Sequence, residues 1–180
     1  MKVFARLLPL LLTLPLLAQS TPPASTDPWQ PLSFLQGTWS ASTTTGGSSG
    51  GNVIGTYTFR PELGNHIVAR HTTSVEGCKG PATFDCDHGD LLYVYQDGSG
   101  QPLKAIYFDN EGHVIHYDVS TPNATTAIFL SDASNPGPQF RLMYELKDAV
   151  MRGRFQMRMP GQNDWKSYLE WTGAKKPSLP

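Results

Sequence analysis

The chain has 180 residues, of which 39% are hydrophobic and 16% are charged, and its formal net charge at pH 7 is −1. Its Lys and Arg residues are scattered rather than gathered in a basic stripe, which argues against a nucleic-acid-binding surface, since phosphate contacts need such a stripe. This length predicts one domain that can bury a core without metals or several disulfides.

The first twenty residues have the pattern of a secretory signal peptide. Lys2 and Arg6 precede an apolar run over residues 7–17, and small or polar residues follow it. The run contains two prolines and is too short for a membrane anchor, because a spanning helix needs about twenty apolar residues. An uncleaved anchor is therefore the weaker alternative. We predict that residues 1–20 are removed on export to the periplasm or outside the cell, and that no later segment spans a membrane.

The rest of the chain divides into a tether, one domain and a tail. Residues 21–28 are rich in Pro, Ser and Thr and predict a flexible tether, and residues 174–180 predict a flexible tail. The domain over residues 29–173 begins with a short helical turn, because Trp29, Leu32 and Leu35 have near-helical spacing.

The domain is predicted to be all-β. Ten segments are rich in β-branched and aromatic residues and are separated by Gly, Pro, Asn or Asp clusters. They are residues 37–43, 53–60, 66–76, 90–96, 103–108, 112–119, 125–131, 139–147, 150–158 and 165–172. Most separators are short turn signals, such as STPN at 120–123, and short turns make neighbouring strands antiparallel. An up-and-down barrel hides every strand edge, so we predict a closed barrel of about ten strands; a two-sheet sandwich is the alternative.

The segment FLQGTW at residues 34–39 resembles the Gly-x-Trp entrance of the calycin superfamily, which contains lipocalins, fatty-acid-binding proteins and nitrobindins. It is most similar to the nitrobindin-like and lipocalin-like bacterial exported proteins. The resemblance implies a barrel with a ligand-holding lumen, in which Gly37 allows the turn into the first strand and Trp39 plugs the closed end. Haem fits such a lumen in nitrobindins, but the histidine near the C terminus that binds it there is absent here, where the last histidine is His116. We predict no cofactor.

The two cysteines predict a disulfide, and the possible metal ligands predict no metal site. Export would place Cys78 and Cys86 in an oxidising compartment, which predicts a disulfide between them; the alternative, a thiolate metal site, lacks a second ligand pair. The acidic segment 85–90 only faintly resembles a calcium loop and predicts a solvated hairpin tip pinned by that disulfide. His116 and Asp118 share a strand face, but no third ligand can be identified, so no metal is predicted.

Strand alternation supplies the candidate binding residues. On residues 139–145 and 150–158 one face is apolar, which predicts an apolar inner surface with Arg152, Arg154 and Arg158 facing water. The alternative is a water-filled lumen in which one arginine binds a carboxylate. Aromatic and apolar side chains would line the lumen, and Arg70, His71 and His116 would be polar anchors. The full set is Trp39, Arg70, His71, Tyr93, Tyr95, Tyr107, His116, Phe140, Tyr144, Phe155 and Met157.

The function predicted from these patterns is reversible binding of a small, largely apolar molecule in the lumen. No catalytic residue is predicted, since no nucleophile elbow is present. Two alternatives stay open: a solidly packed barrel with a structural or envelope-interaction role, and a small hydrolase or isomerase that uses His71 or His116.

Overall fold

The structure, a computed structural model, describes residues 27–43, 53–74, 88–133 and 136–177. In these ranges one short 3₁₀ helix, Gln30–Leu35, precedes ten β-strands. The strands are β1 Gly37–Thr43, β2 Val53–Glu62, β3 Ile67–Ser74, β4 Asp90–Tyr95, β5 Lys104–Asp109, β6 Val114–Asn123, β7 Thr126–Ser131, β8 Gln139–Lys147, β9 Val150–Arg158 and β10 Lys166–Lys175. Each predicted strand is present, and the predicted helical turn is the 3₁₀ helix.

The ten strands form one closed antiparallel sheet. Each strand pairs with its neighbours in sequence, and β1 pairs with β10, where Trp39 lies opposite Lys175 and Ser42 lies opposite Thr172. Closure leaves no strand edge unpaired, which is the physical advantage that favoured a barrel over a sandwich. The predicted all-β, up-and-down barrel is confirmed.

Two predicted strand ends fall three or more residues short of the observed ends. Residues 120–123, predicted as a turn, belong to β6, and the turn follows at residues 124–125. The ladder between β6 and β7 shifts register around Pro122, and such an irregularity accommodates a residue that has no N–H to donate. β10 continues to Lys175, beyond its predicted end at residue 172, because its last residues pair with β1.

Aromatic rings fill the centre of the barrel. The ring of Tyr144 on β8 lies 5.3–6.1 Å, centroid to centroid, from those of Tyr57, Phe59, Phe129 and Trp171. All of these except Trp171 are buried, and Trp171 is half-buried. Such edge-on and tilted contacts contribute beyond the area that they bury.

Gly153 makes room for this aromatic packing. It lies on β9 between Tyr144 and Trp171, its partners in the two flanking strands. A Cβ atom at this position would lie 1.9 Å from the Trp171 ring. Gly153 therefore allows the Trp171 ring to approach the backbone closely and does not form a turn, which is a common use of glycine within a strand.

The 3₁₀ helix and the β2–β3 turn at residues 63–66 form the closed end of the barrel. Trp29, Leu32, Leu35 and Trp39 are each at most 2% exposed there. The Trp39 Nε1–H donates to the carbonyl of Leu35 at 2.8 Å, which fixes the ring against the helix. Gly37, with φ of 109°, makes the turn from helix to strand that a side chain would disfavour.

Several predictions fall on residues outside the described ranges. They are the signal peptide at 1–20, most of the tether and the disulfide between Cys78 and Cys86. These stay predictions. In the portion that is described, no helix has the length and apolar character needed to cross a membrane.

Candidate functional site

A buried ion pair lies inside the barrel, near the end where β4 begins and β5 finishes, which we call the mouth. Arg70 on β3 donates from Nη2 to Asp90 Oδ1, and the two side chains are 7% and 8% exposed. Thr72 Oγ1 donates to the same carboxylate oxygen at 2.9 Å, and Arg70 Nη1 donates to the Tyr144 hydroxyl. A buried charge pair is tolerated only with such additional hydrogen bonds.

Mutual attraction keeps both members of the pair charged. Burial raises the pKa of Asp90, but the Arg70 charge and hydrogen bonds from His88, Arg70 and Thr72 outweigh burial and bring the pKa to about 2. Burial lowers the pKa of Arg70, but the charge of Asp90 and the hydrogen bonds to Asp90 and Tyr144 raise the pKa above its ordinary value. The interior therefore holds a fixed dipole at neutral pH.

Three polar atoms in the described part of the interior have no hydrogen-bond partner: Tyr57 Oη, Arg70 Nε and Trp171 Nε1. Tyr57 and Arg70 are 4% and 6% exposed. Burial raises the pKa of the Tyr57 hydroxyl, and nearby Trp171 acts in the opposite direction, yet the two groups do not reach hydrogen-bonding geometry. All three atoms can donate, and each unsatisfied buried group costs about 1–3 kcal/mol.

These three groups surround Tyr144. The rings of Tyr57 and Trp171 lie 6.0 and 5.7 Å from the Tyr144 ring, and the Tyr144 hydroxyl accepts from Arg70. Burial raises the pKa of Tyr144, so its hydroxyl stays neutral at physiological pH. The unsatisfied donors thus belong to one region of the interior rather than to scattered sites.

Apolar side chains line the inner face nearer the mouth. Phe140 on β8 stacks on Phe155 on β9, with centroids 5.5 Å apart and an interplanar angle of 12°. Met157 lies opposite Phe140 in the ladder, and all three side chains are half-buried. A partly exposed apolar surface therefore adjoins the buried interior at this end.

A groove of about 310 Å³ lies on the rim of the mouth, between the β7–β8 connection and the β9–β10 turn. Its volume is near the lower limit for small-molecule pockets. Beside it, the guanidinium groups of Arg141 and Arg158 lie 4.3 and 4.8 Å from the centre of the Trp165 ring. The groove is lined by Ala133, Gly137, Gln139, Arg158 and residues 159–163.

The structure divides the eleven predicted ligand-binding residues by strand face. The side chains on the inner face are Trp39, Arg70, Tyr107, Phe140, Tyr144, Phe155 and Met157. The side chains on the outer face are His71, Tyr93, Tyr95 and His116. The second group does not take part in the interior site, and any role in binding stays a prediction.

His71 shows why the outer group is separate. Its Nε2 lies 2.9 Å from Glu62 Oε1 on the neighbouring strand, and its ring meets that of Tyr93 edge-on. This is an outer-surface arrangement, because Glu62 is also paired with the exposed Arg60. Arg152 and Arg154 are likewise exposed on β9, as the water-facing interpretation predicted. Among the residues that the structure describes, the arginine on the inner face is Arg70.

Sequence reasoning missed Asp90, Tyr57 and Trp171. Asp90 was expected in a solvated hairpin tip; instead it opens β4 on the same face as Leu92 and Val94 and is covered by Arg70. Its alternation with these two buried residues was the available signal. Nothing in the sequence indicates that Tyr57 and Trp171 would lack partners, because that depends on which strands meet across the barrel.

Metal-ligand geometry occurs in one group of the described residues. Ligand atoms of His88, Asp109 and Glu111, at the rim of the mouth, all lie within 4.8 Å of one another. His116 and Asp118 share one face of β6, as predicted, but it is the outer face, and both residues are exposed.

No family model matches the chain, and no curated protein matches it at a significant level. Among solved structures, the chain is similar to the one titled "Crystal Structure of Rv2717c from M. tuberculosis", with a TM-score of 0.52 and 13% sequence identity. The match covers 83% of this chain and 97% of that chain. At this identity the likeness shows the fold alone. It agrees with a calycin-like barrel, and the finer likeness to nitrobindins or lipocalins stays a prediction.

Proposed function

We propose that this protein is an exported barrel that binds a small, largely apolar molecule carrying a hydrogen-bond-accepting group, such as a carboxylate or a carbonyl. The acceptor would lie against the donors of Tyr57, Arg70 and Trp171. The apolar part would extend toward Phe140 and Phe155 at the mouth.

The observation that carries the proposal is the set of unsatisfied donors. A barrel that only needed to be stable would place apolar groups at these positions, because unsatisfied buried polar groups are destabilising. Three groups that can each donate a hydrogen bond, in a single region, favour a ligand that accepts hydrogen bonds. The Arg70–Asp90 pair orients the guanidinium and leaves its Nε–H available.

The mouth supplies the apolar contribution to binding. Removing apolar surface from water contributes about 25 cal/mol per Å², so the half-buried Phe140, Phe155 and Met157 offer area that a ligand could cover. The signal pattern at residues 1–20 supports action outside the cytoplasm.

The alternative of a packed structural barrel is supported by the aromatic rings that fill the centre around Tyr144. The hydrolase or isomerase alternative has no such support, since His71 and His116 lie on the outer face. The experiment must therefore distinguish ligand binding from the structural role of a solidly packed barrel.

The separating experiment is titration with anilinonaphthalene sulfonate, which combines apolar rings with an anionic acceptor. Tyr57→Phe removes one unsatisfied hydroxyl and keeps the ring. If ligands use this donor, the variant should bind the probe about threefold to tenfold more weakly, which corresponds to the loss of one hydrogen bond. The matched control is Tyr93→Phe on the outer face, which should leave the affinity unchanged.

Stability alone does not decide the matter, because Tyr57→Phe should stabilise the free protein under either alternative. A packed barrel predicts no saturable probe binding, or binding that Tyr57→Phe does not alter. Either result would reject the proposal. Native mass spectrometry of protein from its own host is an independent test of the proposal, because a bound molecule would add a mass that is lost on denaturation.

A further inference from the structure

The rim of the mouth carries a second polar group, formed where β4 begins and where β5 turns into β6. His88 Nδ1 lies 3.1 Å from Glu111 Oε1, and His113 Nδ1 lies 2.9 Å from Asp109 Oδ2. The imidazole of His113 is also 3.7 Å from Glu111 Oε2. Four potential ligand side chains therefore meet at one turn and the strand beside it.

The spacing of these atoms suits a metal ion. Tetrahedral zinc binds nitrogen and oxygen at about 2.0–2.2 Å, which places neighbouring ligand atoms roughly 3.4 Å apart. The contact between His88 and Glu111 is within a few tenths of an ångström of that value, and Asp109 lies within 4.8 Å of both. Ion binding has to draw the three ligand atoms closer together; the Glu111 side chain, 47% exposed, faces solvent and can adjust.

The charges at the rim also favour a cation. Within the described ranges, the ion pairs of Asp109 and Glu111 involve only histidines, with no Lys or Arg within 4.0 Å. By contrast, Asp90 next to them is neutralised by Arg70. Two carboxylates beside imidazole nitrogens form a donor set that binds borderline divalent ions in preference to magnesium or calcium.

Asp109 is held in place before any ion arrives. Its Oδ1 accepts the backbone N–H groups of Glu111 and His113 at 3.1 and 2.8 Å, and its Oδ2 accepts from the Tyr107 hydroxyl at 3.2 Å. Gly112, with φ of 90°, allows the tight turn that brings these groups together. Outer hydrogen bonds of this kind orient metal ligands and raise affinity.

We propose that His88, Asp109 and Glu111 bind one divalent ion of the zinc class at the rim of the mouth. His113 positions the Asp109 carboxylate from outside the ligand set. Three protein ligands at the rim leave a fourth coordination position for water or for an atom of another molecule.

The test uses the purified protein after removal of metal with EDTA. Zn²⁺ is titrated calorimetrically, and Co²⁺ is titrated by visible absorption, which reports tetrahedral coordination. We expect one high-affinity ion per chain. Glu111→Gln, an isosteric change at a half-exposed site, should weaken Zn²⁺ binding at least about tenfold, and His88→Ala should do the same.

Matched controls separate this site from adventitious binding. His116→Ala and Glu145→Gln remove an exposed histidine and an exposed carboxylate elsewhere on the barrel, and should bind Zn²⁺ as the unchanged protein does. Tyr57→Phe should also keep full Zn²⁺ affinity, so failure of this site is distinguishable from failure of interior ligand binding. The proposal is overturned if the unchanged protein binds no stoichiometric Zn²⁺, or if Glu111→Gln, shown to be folded by circular dichroism, binds it equally well.

Discussion

The closed end and the mouth of this barrel use opposite chemistry on the same sheet. At the closed end Trp29, Leu32, Leu35 and Trp39 are almost fully buried, and the indole N–H of Trp39 is satisfied by a backbone carbonyl. Between the centre and the mouth, the described residues include unsatisfied donors around Tyr144, a buried ion pair and, at the rim, a group of histidines and carboxylates. One end is arranged for stability, and the other carries polar groups whose burial costs free energy.

The difference indicates where function lies. Stabilising interactions need every buried polar group to be paired, and Trp39 obeys that rule while Tyr57 and Trp171 do not. Departures from the rule concentrate at functional sites, because their cost is offset elsewhere in the fold. The closed end should therefore tolerate no loss of packing, whereas changes to the unsatisfied donors should alter binding more than folding.

The largest expected effect is at the closed end. Trp39→Ala should lower the free energy of unfolding by about 3–5 kcal/mol, since it removes a fully buried indole and leaves a cavity. Trp165→Ala is the matched change at the mouth, where the ring lies under two guanidinium groups; it should cost only about 1 kcal/mol. Urea unfolding of both variants measures the contrast. Equal costs would mean that the two ends do not differ as described.

A smaller effect is expected from breaking the interior ion pair. Asp90→Asn leaves the Arg70 guanidinium buried without its counter-charge and should cost about 3 kcal/mol. The double variant Arg70→Met/Asp90→Leu replaces the pair by apolar side chains and should be within about 1 kcal/mol of the unchanged protein. The same double variant should lose binding of anilinonaphthalene sulfonate. A stable double variant with undiminished probe binding would show that the pair has no part in the site.

The smallest effect is the response of the pair to acid. The pKa of Asp90 is lowered to about 2 in the folded protein, and an unfolded aspartate titrates near about 3.9. Its contribution to stability is therefore complete above pH of about 4 and is lost as the pH falls toward about 2, a change of roughly 2 kcal/mol. Unfolding free energies measured across this window should fall less steeply for the Arg70→Met/Asp90→Leu variant. Parallel curves for the two proteins would contradict the assignment.

Local pattern was enough to predict most of the fold. The ten strands, their antiparallel order and the inward face of β8 follow from period-two alternation and from turns too short for any crossover. Arg70 could be recognised as a candidate anchor because it alternates with Val68 on β3. The errors at residues 120–123 and at the end of β10 came from pairing with neighbouring strands, which can override a local turn signal.

The candidate sites depended on contacts that no local pattern contains. Asp90 reaches Arg70 only because β3 and β4 pair in a register that sets Thr72 opposite Asp90. Gly153 receives Trp171 because closure brings β9 and β10 together at that level. The sequence by itself determined strands, faces and architecture, because side-chain direction along a strand is a local property. Only the tertiary structure decided which polar groups meet and which lack partners, because cross-strand register and barrel closure are set by burial over the whole sheet.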